Sequence, residues 1–248
     1  MQTVYILWLR QLKRFSRKRA SMIGALGQPI IFLVAFGFGL SPIFAKAGAG
    51  NYIQFIAPGI IAMTALFTSI FTGVEIIWDK QFGFLKETFV APISRWQIML
   101  GKTLGGATVA IIQGILVFLI TLFVGFRPES LAMLPVALLF LILIALLCSA
   151  VGTTIAAPLD DMQSFPLIIN FVIQPLFYLS GAIFPLAGLP WFLDIITRLN
   201  PLSYGIDGLR GALTGVSHFS YLTNFSVLVG VTLLVLAIGT RIFSKIEI

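Results

Sequence analysis

The stretch from Ser130 to Leu159, SLAMLPVALLFLILIALLCSAVGTTIAAPL, contains no charged side chain. An α-helix rises 1.5 Å per residue, so about 20 apolar residues cross a hydrocarbon core roughly 30 Å thick. Five further charge-free runs, 20–45, 47–74, 103–126, 162–193 and 211–240, are each long enough to do the same. Within hydrocarbon a backbone must satisfy its own N–H and C=O groups, which favours helices over barrel strands for runs of this length. The sequence therefore predicts an all-α polytopic membrane protein with six transmembrane helices.

Composition agrees, with 58% hydrophobic and 10% charged residues and a mean hydropathy of +1.04. A soluble domain carries about 25% charged residues. The six runs take up most of the 248 residues, so the chain reads as one membrane domain over 1–248. Its single cysteine, Cys148, lies inside the fourth run and can form no intrachain disulfide. The net charge of +7 invites a nucleic-acid partner, but none is expected, because the cations follow membrane topology. Arg10, Lys13, Arg14, Arg17, Lys18 and Arg19 precede the first run. Lys80, Lys86, Arg95 and Lys102 separate the second from the third, and Arg241 and Lys245 follow the sixth. With six crossings all of these share one side, and the positive-inside rule puts that side, with both termini, in the cytoplasm of a plasma (inner) membrane. The first apolar run is too long for a signal-peptide h-region of about 7–15 residues, so no cleavage is expected after Ala45-Lys46-Ala47.

Two charged segments differ from ordinary loops. Residues 1–19 form an amphipathic helix, with Val4, Trp8, Leu12 and Phe15 on one side and Arg10, Lys13, Arg14 and Arg17 on the other. It suits the headgroup layer as an interfacial helix touching membrane lipid, or serves simply as a positive-inside flank. Residues 75–102, EIIWDKQFGFLKETFVAPISRWQIMLGK, carry Phe82, Phe84, Leu85, Phe89 and Val90 among charges. A short helix ending before Pro92 would offer these side chains to a partner; an interfacial turn would bury them in lipid.

Here the chain resembles the type-2 ABC exporter permeases. A charged pair, Gly83, Leu85, Glu87, Ala91-Pro92-Ile93-Ser94-Arg95 and Leu100-Gly101-Lys102 are similar to that family's first cytoplasmic loop. Leu179-Ser180-Gly181-Ala182-Ile183-Phe184-Pro185, Leu189-Pro190-Trp191 and the run Asn200–Arg210 resemble its C-terminal signature, above all in the drug-exporter and nodulation-type branches. The resemblance implies the membrane half of an exporter, with a second permease copy, most simply in a homodimer, and separate ATP-binding cassette ATPase subunits that hold ATP and Mg. This chain is then expected to bind no cofactor or metal and to have no catalytic residue of its own. Residues 79–95 would form the coupling loop, with Phe82, Gly83, Phe84, Leu85, Glu87, Thr88 and Pro92 contacting the ATPase.

The sequence offers little catalytic chemistry. Gly101-Lys102-Thr103 mimics the end of a phosphate-binding loop, but Trp96 stands where that motif needs its first glycine. Lys102 reads as a residue snorkelling to the membrane boundary. His218 has no ligand partner at metal spacing, and Asp160 and Asp161, about 100° apart on a helix, suit capping or solvation.

Polar residues inside the runs mark a candidate pathway. Gln113 suits an interhelical hydrogen bond, worth roughly 0.6–2 kcal/mol. Gln28, Asn170 and Gln174, with Phe32, Phe36, Phe171 and Phe177, are assigned to the substrate pathway, because spans one, two and five line the route or the dimer seam in the resembled family. Residues 181–215 are broken by Pro185, Pro190 and Pro201 and read as two short helices dipping in from the external face. The resemblance makes 187–217 an external cap, with Asn200, Pro201, Tyr204, Asp207 and Arg210 as gate residues; a purely structural loop is the other reading. Asp194–Arg198 and Asp207–Arg210 have the spacing of helical ion pairs. A hydrophobic or amphiphilic cargo (drug, lipid or secondary metabolite) is expected, with a polysaccharide or lipid-linked glycan as the alternative. An ion-coupled secondary transporter would need ionisable groups near the midplane, and Glu75 sits only a turn from the boundary. A non-transport scaffold is the remaining rival.

Overall fold

The computed structural model describes residues 2–17, 19–46, 50–84, 93–186, 188 and 190–245. Within them the elements are α1 (Gln2–Arg17), α2 (Arg19–Lys46), α3 (Tyr52–Phe71), α4 (Val74–Gln81), α5 (Arg95–Val124) and α6 (Leu134–Ala156). They continue with α7 (Ser164–Tyr178), α8 (Trp191–Leu199), α9 (Pro201–Thr214) and α10 (Tyr221–Ser244). Local chemistry sets the ends. The side chains of Asn51, Ser94 and Ser220 accept hydrogen bonds from the backbone N–H groups of Ile53, Gln97 and Thr223, which would otherwise be orphaned at the helix starts. Gly125, at φ +112°, ends α5 in the left-handed region that an L side chain rarely adopts.

Among the described residues five helical stretches are long and apolar enough to cross a membrane: Ile23–Lys46, Tyr52–Gln81, Arg95–Val124, Leu131–Ala156 and Tyr221–Ser244. The fifth charge-free run differs from a plain span. Its helix α7 covers only Ser164–Tyr178, widens to a π-turn over Ile169–Ile173, and stops before Gly181, which turns the chain at φ +77°. The segment still passes from one polar end of the bundle to the other. Asp160, just before it, pairs with Lys80 at 2.6 Å, whereas Gly181, just after it, accepts a hydrogen bond from Arg210. Six passages result, five long and one short. Both chain ends therefore lie at the same end of the bundle, hereafter the near end. Gly239, late in α10, faces Met99 and Thr154 there.

Helix α3 is the core element, packed against α2, α5, α6 and α9. Glycines allow the closest crossings. A Cβ at Gly106 would lie 2.2 Å from Thr72 Oγ1 and 2.5 Å from Ser149 Oγ, so two small hydroxyl side chains close on the bare backbone of α5, and one at Gly152 would lie 2.6 Å from the Ile70 carbonyl, so α6 meets α3 backbone to backbone. The Ser149 hydroxyl donates to the Thr103 carbonyl at 2.9 Å across the same junction.

Helix α1 is docked on the bundle along one face. Its buried seam is Leu7 and Gln11, and it lies along α5. A Cβ at Gly101 would come 2.8 Å from Leu7 Cβ, and one at Gly105 would come 2.7 Å from Gln11 Cβ. Trp8 Nε1 donates to Thr108 Oγ1 at 3.0 Å, continuing the contact. Tyr5 and Ile6 are exposed on the other side. The α9 segment is packed inside the bundle. Eleven of its 14 residues are buried, so the second short helix is part of the core between α3, α6 and α10, and only α8 has the character of an exposed cap.

Docking of α1 through glycine gives a test with opposite signs. Gly105→Ala forces an overlap with Gln11 and should lower stability by about 1–3 kcal/mol, lowering the melting temperature by roughly 2–4 °C per kcal/mol. Gly230→Ala, whose new Cβ meets nothing within 4 Å, should be neutral or stabilising through helix propensity. Identical melting of the two variants in detergent would refute the close approach.

Candidate functional site

At the near end a buried carboxylate joins three helices. Asp79, in α4, is 4% exposed and accepts a two-pronged hydrogen bond from Arg10 of α1, at 2.7 and 3.0 Å. Lys102 of α5, itself buried, donates to the same carboxylate. Isolated charges cannot be buried cheaply, so each partner is held by the others. The planar Arg10 fork meets both carboxylate oxygens, which fixes direction as well as distance. Arg10 also lies over the Phe84 ring at 3.6 Å. One turn along α1, Arg14 pairs with Glu75 at 3.5 Å and faces the Trp78 ring at 5.4 Å. Lys80 and Gln81 reach across to Asp160, while Asp161 caps α7 by accepting from the Ser164 N–H and hydroxyl, both at 2.7 Å. Asp161 therefore has the capping role expected of it, and Asp160 an ion-pair role instead.

Of the residues assigned to the coupling loop, Phe82 is 78% exposed, Gly83 occupies a turn at φ +77°, and Phe84 lies against Arg10. Leu85, Glu87, Thr88 and Pro92 lie outside the described residues. Lys102 is not a snorkelling side chain: it points inward to Asp79. The sequence does not pair Asp79 with Arg10 or Lys102, although an acid in a segment bordered by cations was a usable signal.

The pathway residues fall into two sets. Gln28, Phe32 and Phe36 lie on α2, with the two rings 5.2 Å apart. Asn170, Phe171 and Gln174 belong to the π-turn and its edge, where Phe171 is 78% exposed. Helix α3 contacts both, packing on α2 and placing Phe67 against Phe177 and Phe71 against Phe165. Phe177 is thus a core residue, 1% exposed, not a free pathway surface. Gln174 donates to Tyr178 Oη at 2.8 Å. Gln113 joins α5 to α3 by accepting from Thr68, the interhelical role expected for it.

At the far end the expected Asp207–Arg210 ion pair does not form. Both side chains are buried but hold different segments. Asp207 accepts from the backbone N–H groups of His218 and Phe219, at 2.7 and 2.9 Å, and from Asn224 Nδ2 at 3.0 Å, tying α9 to the start of α10. Arg210 donates to the Gly181 carbonyl at 2.7 Å and lies over the Phe55 ring at 4.2 Å, tying α9 to the turn after α7 and to α3. Three-residue spacing was compatible with a pair, but unpaired backbone groups nearby gave each charge a better partner. Asn200 caps α9 through the Leu202 N–H and donates to the Leu176 carbonyl at 2.6 Å. Pro201 begins that helix, and Tyr204 Oη donates to the Arg198 carbonyl at 2.8 Å. The Asp194–Arg198 pair is formed on the exposed α8, at 2.8 Å. Among the described residues no three His, Cys, Asp or Glu side chains converge as metal ligands would.

Comparison with known proteins supports the resemblance. Residues 2–214 match the ABC-2 type transporter family. The chain is 30% identical to the putative transport permease ycf38 of Cyanophora paradoxa over 99% of its own length and 89% of that protein. It is 29% identical to the inner membrane transport permease YadH of Escherichia coli K12, over 90% and 87% of the two chains. Nodulation protein J of Rhizobium leguminosarum bv. trifolii is 28% identical over 79% and 75%. With the family match spanning most of the multi-pass bundle, this chain belongs to the ABC-2 type transporter permeases.

Proposed function

We propose that this chain is the membrane-spanning permease subunit of an ATP-driven exporter, with the near end in the cytoplasm of a plasma (inner) membrane. A separate ATP-binding cassette subunit holds ATP and Mg and docks on the loop after α4. The observation that carries this reading is the Asp79 junction. Displacement of the loop by the ATPase is felt at once by α1 through Arg10 and by α5 through Lys102. A buried, fully paired carboxylate resists slipping, because separating it from either cation exposes an uncompensated charge. The loop and two helices then move as one body.

Two copies of the chain form the route, and the exposed α7 face around Asn170 and Phe171 is the surface assigned to the seam. The cargo is hydrophobic or amphiphilic, in keeping with the phenylalanines of α2 and α7; a polysaccharide or lipid-linked glycan is the second reading. The α9 anchors Asp207 and Arg210 close the external side.

Arg10→Lys retains charge but loses the fork. It should leave membrane insertion intact and reduce substrate-stimulated ATP hydrolysis by roughly tenfold, equivalent to about 1.4 kcal/mol of coupling. Asp79→Ala should destabilise the permease by about 3–5 kcal/mol, since Lys102 stays buried without its counter-charge. Full coupling in both variants would remove the proposed role.

Topology is read by thiol labelling in a Cys148→Ser background. Lys46→Cys and Ser130→Cys should react with an impermeant reagent applied outside sealed cells, and Ser94→Cys should not. Labelling of Ser94→Cys from outside would invert the assignment.

At the external end, Asp207→Ala and Arg210→Ala should each raise passive leak more than they weaken cargo binding. Exchange of the two charges should not restore closure, because the residues hold different backbone segments. Restoration by the exchange would mean that they pair after all, and wild-type leak in both single variants would remove the gate assignment.

A further inference from the structure

The near end contains a cavity that neither the coupling junction nor the external seal uses. It lies between α1, α2, α3, α4 and α5, with a volume of about 400 Å³, within the range of roughly 300–1,000 Å³ usual for ligand clefts. Its interior is apolar around Met63, Phe67, Phe71 and Val109. Three carboxamides line it, of which Gln113 is already bonded to Thr68. Gln28 is exposed on α2, and Gln11 of α1 is 6% exposed. Gln11 and Gln28 have no hydrogen-bond partner among the described residues, and neither amide is among the fully buried unpaired polar atoms, so both are open to a ligand or water in the cavity.

The cavity adjoins a second, open groove of about 730 Å³ along α1. Arg14 and Trp78 line both spaces, so they form the shared wall and mouth. The groove is strongly basic: Arg10 is committed to Asp79 and Arg14 to Glu75, but Lys13 and Arg17 are exposed and have no partner among the described residues. Two exposed cations on α1, Lys13 and Arg17, thus adjoin a wall that leads past carboxamides into an apolar pocket. Cations at a membrane surface attract anionic headgroups.

We propose that this composite space binds one phospholipid-like anionic amphiphile, its phosphate between Lys13 and Arg17, its polar linkage at Gln11 and Gln28, and the start of an acyl chain in the cavity. The site lies within a single copy of the chain and is complete without a second. It rests on the permease reading only for which leaflet it samples. The occupant is a resident anionic lipid or an anionic cargo on its way to the route; the chemistry of recognition is the same.

The test uses phosphatidylglycerol carrying a photoreactive diazirine on its acyl chain, with purified permease in phosphatidylcholine nanodiscs and no ATPase. Crosslinks should map to 25–29 and 63–71. Unlabelled phosphatidylglycerol should compete and phosphatidylcholine should not. One surface cation contributes about a fivefold attraction, so Lys13→Ala with Arg17→Ala should weaken labelling roughly thirtyfold. Arg241→Ala, a cation elsewhere at the near end, should have no effect. Ala25→Trp should block labelling by filling the cavity while the cations remain, with folding checked by an unchanged detergent elution volume. Labelling spread over the exposed faces of α10, equal competition by phosphatidylcholine, or equal loss with Arg241→Ala would overturn the proposal. Addition of the ATPase with ATP separates the two sources: label that disappears on turnover identifies cargo in the site, and label that persists identifies resident lipid in it. Both outcomes support the site, and neither depends on Arg10→Lys having uncoupled hydrolysis.

Discussion

The Asp79 carboxylate, buried between Arg10 and Lys102, is the interaction on which the near end depends. Without it, α1 would be held to the bundle by the Gly101 and Gly105 contacts, the Trp8–Thr108 hydrogen bond and the longer, partly exposed Arg14–Glu75 pair. The contacts with α5 set how closely α1 approaches it but leave its position relative to the following loop free. The ion cluster removes that freedom. Arg10 belongs to α1, Asp79 to α4 and Lys102 to α5, so the cluster is satisfied in only one register of the three helices.

Both ends of the bundle use the same physical device to different effect. At the near end a carboxylate collects side-chain cations from separate helices. At the far end Asp207 collects backbone N–H groups, and Arg210 collects carbonyls at the turn where α7 ends. The short α7 helix makes the second arrangement necessary. A helix that stops at Tyr178 leaves carbonyls and a turn buried in the bundle, and such groups are tolerated away from water only when protein satisfies them. α9 is buried because it supplies those partners. Tyr52 contributes at the same place, donating to the Ile183 carbonyl at 3.0 Å.

Between the two ends, the bundle is tight where glycines and small hydroxyls meet and open where α1 and α2 diverge from α3. Gly152 lets α6 touch the α3 backbone and Gly106 lets the Thr72 and Ser149 hydroxyls close on α5, whereas α2 is largely exposed and the cavity beside Gln28 opens on its flank. The rigid part of the molecule is therefore the α3, α5 and α6 junction. The surfaces assigned to lipid, partner copy and cargo are on elements packed around it.

Much of this organisation is carried by the sequence itself. Six charge-free runs and the placement of cations determine a helical membrane bundle with both termini on one side, since the hydrocarbon core penalises charge and unpaired backbone wherever they occur along the chain. The breaks at Asn200-Pro201 and the capping by Asp161 were legible for the same local reasons. Partnerships across the bundle were not. Spacing allowed Asp207 to pair with Arg210 and let Lys102 snorkel, but it could not reveal that a turn after α7 would bring carbonyls to Arg210, or that α4 would carry Asp79 to Lys102. Nor could periodicity show that α1 lies on two glycines of α5 through Leu7 and Gln11. Local patterns decide which segments are helical and which must avoid lipid; only the packed tertiary structure decides which buried charge meets which partner, because that depends on distances between residues far apart in sequence.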